Sequence, residues 1–309
     1  MGLDLVVVFR HVGYYMSIPI ESIAKGFKDE LIYGAHFTAI VCPSLILVVS
    51  MLTDVNITIT GIAIAYLIPL IIYTLNYNME MDTDRITDLN RVLYILSRKK
   101  IFPYLLAIYL SILVLLILIL FNFNFSIFVL FTLSGGLLYT SVFKILTKVI
   151  VGFKSIFISA VWAYTGAFFL LFYNSIRLED YNLLIFVFIF LKIFINVVFF
   201  DIKDIESDAV KKLKTVPIIL GKDHALAALH LINLIALVLL LAGVCTHLLP
   251  VFSLSLTIFY FYSAYYLIKG KTASGGSLLN YSYIMADAEF ILWPIVLFIG
   301  KNASTILLH

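Results

Sequence analysis

The chain has 309 residues; 63% are hydrophobic and 13% charged, and 21 basic against 18 acidic residues leave a net charge of +3. A soluble domain is about 45–50% apolar and about 25% charged. The composition excludes one and predicts an all-α polytopic membrane protein, because long apolar runs favour helices over the alternating strands of a barrel. Two cysteines, Cys42 and Cys245, both fall within apolar runs and read as small buried hydrophobes, with no disulfide framework or zinc spacing.

Residues 1–30 read as a cytoplasmic or interfacial segment carrying Arg10, Lys25 and Lys28. Residues 31–300 read as one transmembrane domain, followed by a short tail at 301–309. A hydrocarbon core of about 30 Å needs roughly 20 apolar residues per helix. Nine candidate spans, near 31–53, 57–80, 102–121, 125–143, 152–173, 181–200, 224–246, 249–268 and 279–300, are expected to surround a central cavity.

Lys and Arg sort by loop parity. Eighteen of the 21 lie in the N-terminal segment or the second, fourth, sixth and eighth loops. Arg177 and Lys301 fall on the opposite side, and Lys192 lies inside a span. The positive-inside rule then predicts a cytoplasmic N-terminus, an external C-terminus and an odd number of crossings. Topology and a polyanionic ligand explain the basic residues, so nucleic acid is not an expected partner.

Two short windows on the expected cytoplasmic side hold seven of the 18 acidic residues. The first follows the second span: Asn76, Glu80 and Asp84 at i, i+4, i+8 share one gently drifting helical face, with Asp82 roughly opposite and Arg85, Asn90 and Arg91 next. A helix C-terminus disfavours carboxylates unless a cation offsets them. The second follows the sixth span: Asp201, Asp204 and Asp208 at i, i+3, i+7 form one helical stripe, followed by Lys211, Lys212, Lys214 and Thr215. Either window alone is matched by an ordinary solvated loop. Together they point to Mg²⁺ shared between carboxylates and a diphosphate, with Lys and Arg on the phosphate oxygens.

These residues resemble the UbiA superfamily of intramembrane prenyltransferases. That family carries Asn-x3-Asp-x3-Asp, often continued as Asp-Arg-x4-Asn-Arg; this chain has Asn76-x3-Glu80-x3-Asp84-Arg85-x4-Asn90-Arg91. The family's second motif resembles Asp201-x2-Asp204-x-Glu206-Ser207-Asp208, then Lys214-Thr215 and Leu220-Gly221. Tyr139, Lys144, Lys148, Lys154 and Trp162 are similar to the conserved region after the fourth helix. The resemblance spans about residues 30–300. Glu80 stands where Asp is usual, Ser207 where Gly is common and Ser155 where Asn is common; Tyr33-Gly34-Ala35-His36 replaces an Arg-Pro pair, as in certain archaeal members.

The resemblance implies Mg²⁺-dependent transfer of a prenyl group from a polyprenyl diphosphate to a lipophilic acceptor within the membrane, a quinone precursor or a glycerol-phosphate lipid. Loss of diphosphate would leave an allylic carbocation beside aromatic faces. Glu80, Asp84, Asp201, Asp204 and Asp208 are the implied metal carboxylates. Lys154 and Tyr139 join Asp84, Asp204 and Asp208 in the reaction, and Asn76, Arg85, Arg91, Lys144 and Lys214 contact substrate.

Asp287 and Glu289 lie within the ninth span, where acids are costly and functional by default. Two residues apart, they cannot share a helical face: one can line a cavity while the other pairs with Lys192 or reaches the interface, but the first reading is a structural polar pair and a substrate-cavity role the second. His36 reads as a hydrogen-bonded core histidine, with acceptor contact as its other reading, and Gly135-Gly136 as a close helix contact. A cation transporter would carry its acids near the bilayer midplane, and the Asp-x2-Asp-Gly-x2-Ala-Arg pattern of CDP-alcohol phosphotransferases is absent.

Overall fold

The computed structural model describes residues 4–7, 16–81, 85 and 88–307, with side chains from residue 25 onward except those of residues 140, 141, 144, 276 and 307. A short antiparallel ribbon pairs Asp4–Val7 with Met16–Pro19. The rest is helical: α1 Ile20–Tyr33, α2 His36–Thr53, α3 Ile59–Met79, α4 Leu89–Arg98, α5 Phe102–Leu120, α6 Phe123–Ser141, α7 Phe153–Tyr173, α8 Asp180–Lys203, α9 Ile205–Val210, α10 Val216–Leu220, α11 Lys222–Cys245, α12 Ile258–Thr272, α13 Gly275–Asn280 and α14 Asp287–Leu307. Each expected span is covered by a helix. Among the described residues eight helical stretches are long and apolar enough to cross a bilayer, two of them, Val251–Thr272 and Ser277–Ile306, joining α12 and α14 to the segments before them, and the described apolar part of α6, Phe123–Tyr139, is shorter.

Local chemistry sets the helix starts. Thr58 accepts from the Gly61 N–H ahead of α3, and Asn122 from the Phe125 N–H ahead of α6. Glu179 and Asn182 form a reciprocal capping box at the start of α8. The eighth and ninth spans are less regular than apolar runs imply. A 3₁₀ segment, Val251–Thr257, precedes α12, and a π segment, Tyr281–Ala286, precedes α14.

Packing follows the chain around a ring. Helix α2 packs on α3 and α7, α3 on α5 and α6, α6 on α7, and α7 on α8; α11 joins α8 to α12, and α14 returns to α2. Gly136 lets α6 approach α3, since a Cβ there would lie 2.5 Å from Ile72 Cδ1. This supports the close-packing reading of Gly135-Gly136. In α5 only Leu113 is fully buried; Leu106, Tyr109, Leu116, Ile117 and Leu120 pack half-buried against the core, and the opposite face, with Ile108, Leu115, Leu118 and Ile119, is exposed as a lipid-facing surface would be. Cys42 is buried as expected, but Cys245 is the last residue of α11 and is exposed.

Candidate active site

Inside the ring lies a cavity with about 1530 Å³ of empty space, part of it open to the surroundings. Its walls come from α2, α3, α4, α6, α7, α8, α9 and α14 and from the π segment before α14. The first acidic window enters through the last turn of α3. Asn76 and Glu80 line the cavity, and the Glu80 N–H caps α3 by donating to the Asn76 carbonyl at 2.9 Å. Asp82 and Asp84 lie outside the described residues. Arg85 is exposed and not part of the cavity wall.

The second window differs from a single stripe. Helix α8 ends at Lys203, with Asp204 as its C-cap, and α9 restarts at Ile205. The Asp204 N–H returns to the Asp201 carbonyl at 3.2 Å, and the Asp208 N–H to the Asp204 carbonyl at 2.8 Å. The break re-aims the backbone but keeps Asp201, Asp204 and Asp208 all on the cavity wall.

Lys154 faces them from the first turn of α7. Its Nζ lies 2.6 Å from Asp201 Oδ1 and 3.8 Å from Asp208 Oδ2, and the neighbouring Ser155 Oγ donates to Asp201 Oδ2 at 2.9 Å. Ser155 thus satisfies the second carboxylate oxygen of Asp201. Gly152, at φ 68°, allows the turn that brings Lys154 inward. Its N–H donates to the Lys214 carbonyl, and the Lys214 N–H to the Thr147 carbonyl, each at 2.8 Å. These bonds tie the loop after α9 to the loop before α7. Lys214 serves this junction through its backbone, while its Nζ donates to the Val149 carbonyl at 3.3 Å rather than lining the cavity. The Lys144 side chain lies outside the described residues.

Several participants escaped the sequence reading. Lys203 lines the cavity and pairs with Asp204 at 2.6 Å. Burial alone would raise the Asp204 carboxyl, but Lys203, with Lys154 beyond it, more than offsets this and holds it below its ordinary value. Asp88 caps α4 by accepting from the Arg91 N–H at 3.1 Å and also accepts from Tyr283 OH at 2.8 Å. The cavity-lining Arg91 guanidinium then lies 4.6 Å from the Tyr77 ring centre. Lys211, Thr38 and Asn196 also line the cavity. Two of these had a readable signal: Lys203 adjoins Asp204, and Asp88 precedes an amphipathic run as a helix cap would.

Tyr139 is on the wall, stacked with Phe157 at 5.6 Å between ring centres, and Trp162 Nε1 donates to Tyr73 OH at 3.2 Å. His36 is hydrogen-bonded to Tyr66 OH at 2.5 Å and is absent from the wall, in keeping with its structural reading. The two acids of the ninth span separate as their spacing requires. Asp287 lines the cavity, whereas Glu289 pairs with Lys192 at 2.6 Å.

The donor set fits a hard cation. Asp201 Oδ1 and Asp208 Oδ2 are buried without a well-directed hydrogen bond, Lys154 being their closest cation among the described residues. No group of three His, Cys, Asp or Glu side chains forms a ready cage among the described residues. Mg²⁺ does not require one, because it takes one or two carboxylates and completes its shell with water and phosphate.

Solved structures share the fold. A UbiA homologue from Aeropyrum pernix K1 in its apo form matches with TM-score 0.64 and 16% identity, over 87% of this chain and 98% of the other. A UbiA homologue from Archaeoglobus fulgidus bound to GPP and Mg²⁺ matches with TM-score 0.64 and 16% identity, over 89% and 99%. A digeranylgeranylglyceryl phosphate synthase matches with TM-score 0.56 and 17% identity, over 89% and 98%. No curated protein sequence matches the chain. The family model for UbiA prenyltransferases matches residues 35–279, most of the chain, and the protein belongs to that family of membrane prenyltransferases.

Proposed function

We propose that the cavity binds the Mg²⁺–diphosphate end of a polyprenyl donor between α3 and the α8–α9 break. The observation that carries this reading is the convergence of Glu80, Lys154, Asp201, Asp204 and Asp208, from three parts of the chain, on one cavity wall. Glu80, Asp201, Asp204 and Asp208 would hold the ions together with Asp84. Mg²⁺, when bound, offsets the charge of the departing diphosphate. Arg91, Lys154, Lys203 and Lys211 supply positive charge for the remaining phosphate oxygens. Tyr73, Tyr139 and Trp162 present aromatic faces to an allylic cation and exclude water from it. The archaeal homologue bound to GPP and Mg²⁺ supports this donor and metal.

The acceptor is a lipophilic molecule entering from the membrane, a glycerol-phosphate lipid or a quinone precursor; the likeness to a digeranylgeranylglyceryl phosphate synthase supports the lipid. The loop distribution of Lys and Arg supports a cytoplasmic N-terminus and an active site facing the cytoplasm. The test is an acceptor screen with an isotopically labelled C20 prenyl diphosphate and Mg²⁺, read by mass spectrometry of extracted lipid. A prenylated acceptor, formed with Mg²⁺ and not with EDTA, is expected. Intact donor across the panel, with cation uptake into vesicles instead, would refute the reading in favour of transport.

A further inference from the structure

Asp287 is 4% exposed, follows the π segment and lines the same cavity. Its Oδ2 accepts from Thr38 Oγ1 of α2 at 2.9 Å and its Oδ1 from Asn196 Nδ2 of α8 at 3.0 Å. Thr38 and Asn196 line the cavity as well. Among the described residues no Lys or Arg forms an ion pair with Asp287. Glu289, two residues further on, shows how this protein neutralises an acid whose role is structural, since it is fully buried against Lys192. Asp287 is instead held by two neutral donors, one from each neighbouring helix, at the cavity wall.

A carboxylate offers about four acceptor positions. Thr38 and Asn196 use two, which leaves capacity for a donor on a ligand. Asn196 lies five residues before Asp201 on α8, about 7.5 Å along the axis at 1.5 Å per residue. Asp287, Thr38 and Asn196 therefore sit inward of the acidic end, on the side toward which a prenyl chain would run from a diphosphate held there.

We propose that Asp287, positioned by Thr38 and Asn196, binds the nucleophilic hydroxyl of the acceptor and takes its proton during transfer. This rests on the prenyl-transfer reading and adds the chemical class of the second substrate. In the step, the acceptor oxygen forms a bond to C1 of the prenyl group. The C1–O bond to the diphosphate breaks and its electron pair leaves with the diphosphate. The hydroxyl proton passes to the Asp287 carboxylate.

Two probes distinguish the sources of such a hydroxyl: a 3-O-alkylglycerol 1-phosphate and a p-alkylphenol. The purified full chain and its Asp287→Asn and Thr38→Val variants are compared with each. The measurements are the melting shift caused by each probe alone, the shift caused by a prenyl thiodiphosphate with Mg²⁺, and the transfer rate. One probe is expected to stabilise the wild type and to be alkylated, and its O-methylated form to do neither. Asp287→Asn should lose the acceptor shift, keep the donor-analogue shift that shows an intact fold, and transfer about 10²–10⁴-fold more slowly. Thr38→Val, which keeps the carboxylate, should weaken the acceptor shift without abolishing it. Wild-type transfer by Asp287→Asn, equal binding of the O-methylated probe, or inert hydroxyl probes on a wild type that releases pyrophosphate from its donor would each overturn the proposal. A wild type that neither binds the thiodiphosphate nor releases pyrophosphate would overturn the prenyl-transfer reading, and this inference with it.

Discussion

Replacing Lys192 with Met should strand Glu289 as a lone carboxylate in an apolar interior. Lys192 is 3% exposed and Glu289 fully buried, with 2.6 Å between Nζ and Oε1. Ser263 Oγ donates to Glu289 Oε2 at 2.8 Å, and Lys192 also donates to Asn233 Oδ1 at 3.0 Å. At an effective dielectric of about 20, the Coulomb attraction at that separation is about 6 kcal/mol. Desolvating the two ions costs several kcal/mol each, so the pair as a whole contributes close to zero. Removing one partner is different, and Lys192→Met should cost about 3–5 kcal/mol. The double variant Lys192→Met/Glu289→Leu should recover to within about 1–2 kcal/mol of wild type, because both charges go. Reversible unfolding in detergent micelles measures both. Neither residue lines the large cavity, so the folded double variant should keep prenyl transfer. A single variant as stable as wild type, or a double variant as unstable as the single, would refute this reasoning.

Lys154→Met should destabilise the metal-free protein by about 3–5 kcal/mol, since buried Asp201 and Asp208 lose their ammonium; Mg²⁺ should then raise the melting temperature more than it does in wild type, and an equal Mg²⁺ response would count against the shared site. Asp204 has a folded-state pKa below its ordinary value of about 3.9. Its contribution to stability is therefore complete above the unfolded value and lost as pH falls through the lower folded one. Lys203→Met should move that loss to higher pH in melting curves taken between about pH 2 and 6, and an unchanged profile would contradict the pairing.

The fold was legible because apolar length and loop charge are strong signals in a membrane protein: each expected span has a helix over it. The acidic windows were legible because charge is costly beside lipid, and Asp201, Asp204 and Asp208 do meet on one wall. The α8–α9 break at Asp204 was not visible, since a period of i, i+3, i+7 does not reveal a helix restart. Nor was the role of Lys214, whose position in sequence says nothing of the backbone junction it makes with Thr147 and Gly152. Asp88, Lys203 and Tyr283 come together only through tertiary packing, with Tyr283 reaching Asp88 across 195 residues. The spacing of Asp287 and Glu289 gave two faces, and packing decided that Asp287 belongs to the cavity and Glu289 to Lys192.

The central claim is that the two acidic windows act together as a metal–diphosphate site. Its most direct test is the rate of pyrophosphate release from a C20 prenyl diphosphate, measured with Mg²⁺ and with EDTA, for wild type, Asp84→Ala and Asp208→Ala. Mg²⁺-dependent release is expected in wild type, with a loss of at least about 100-fold in both variants, each still melting cooperatively. Wild-type rates in either folded variant, or release that persists in EDTA, would contradict it.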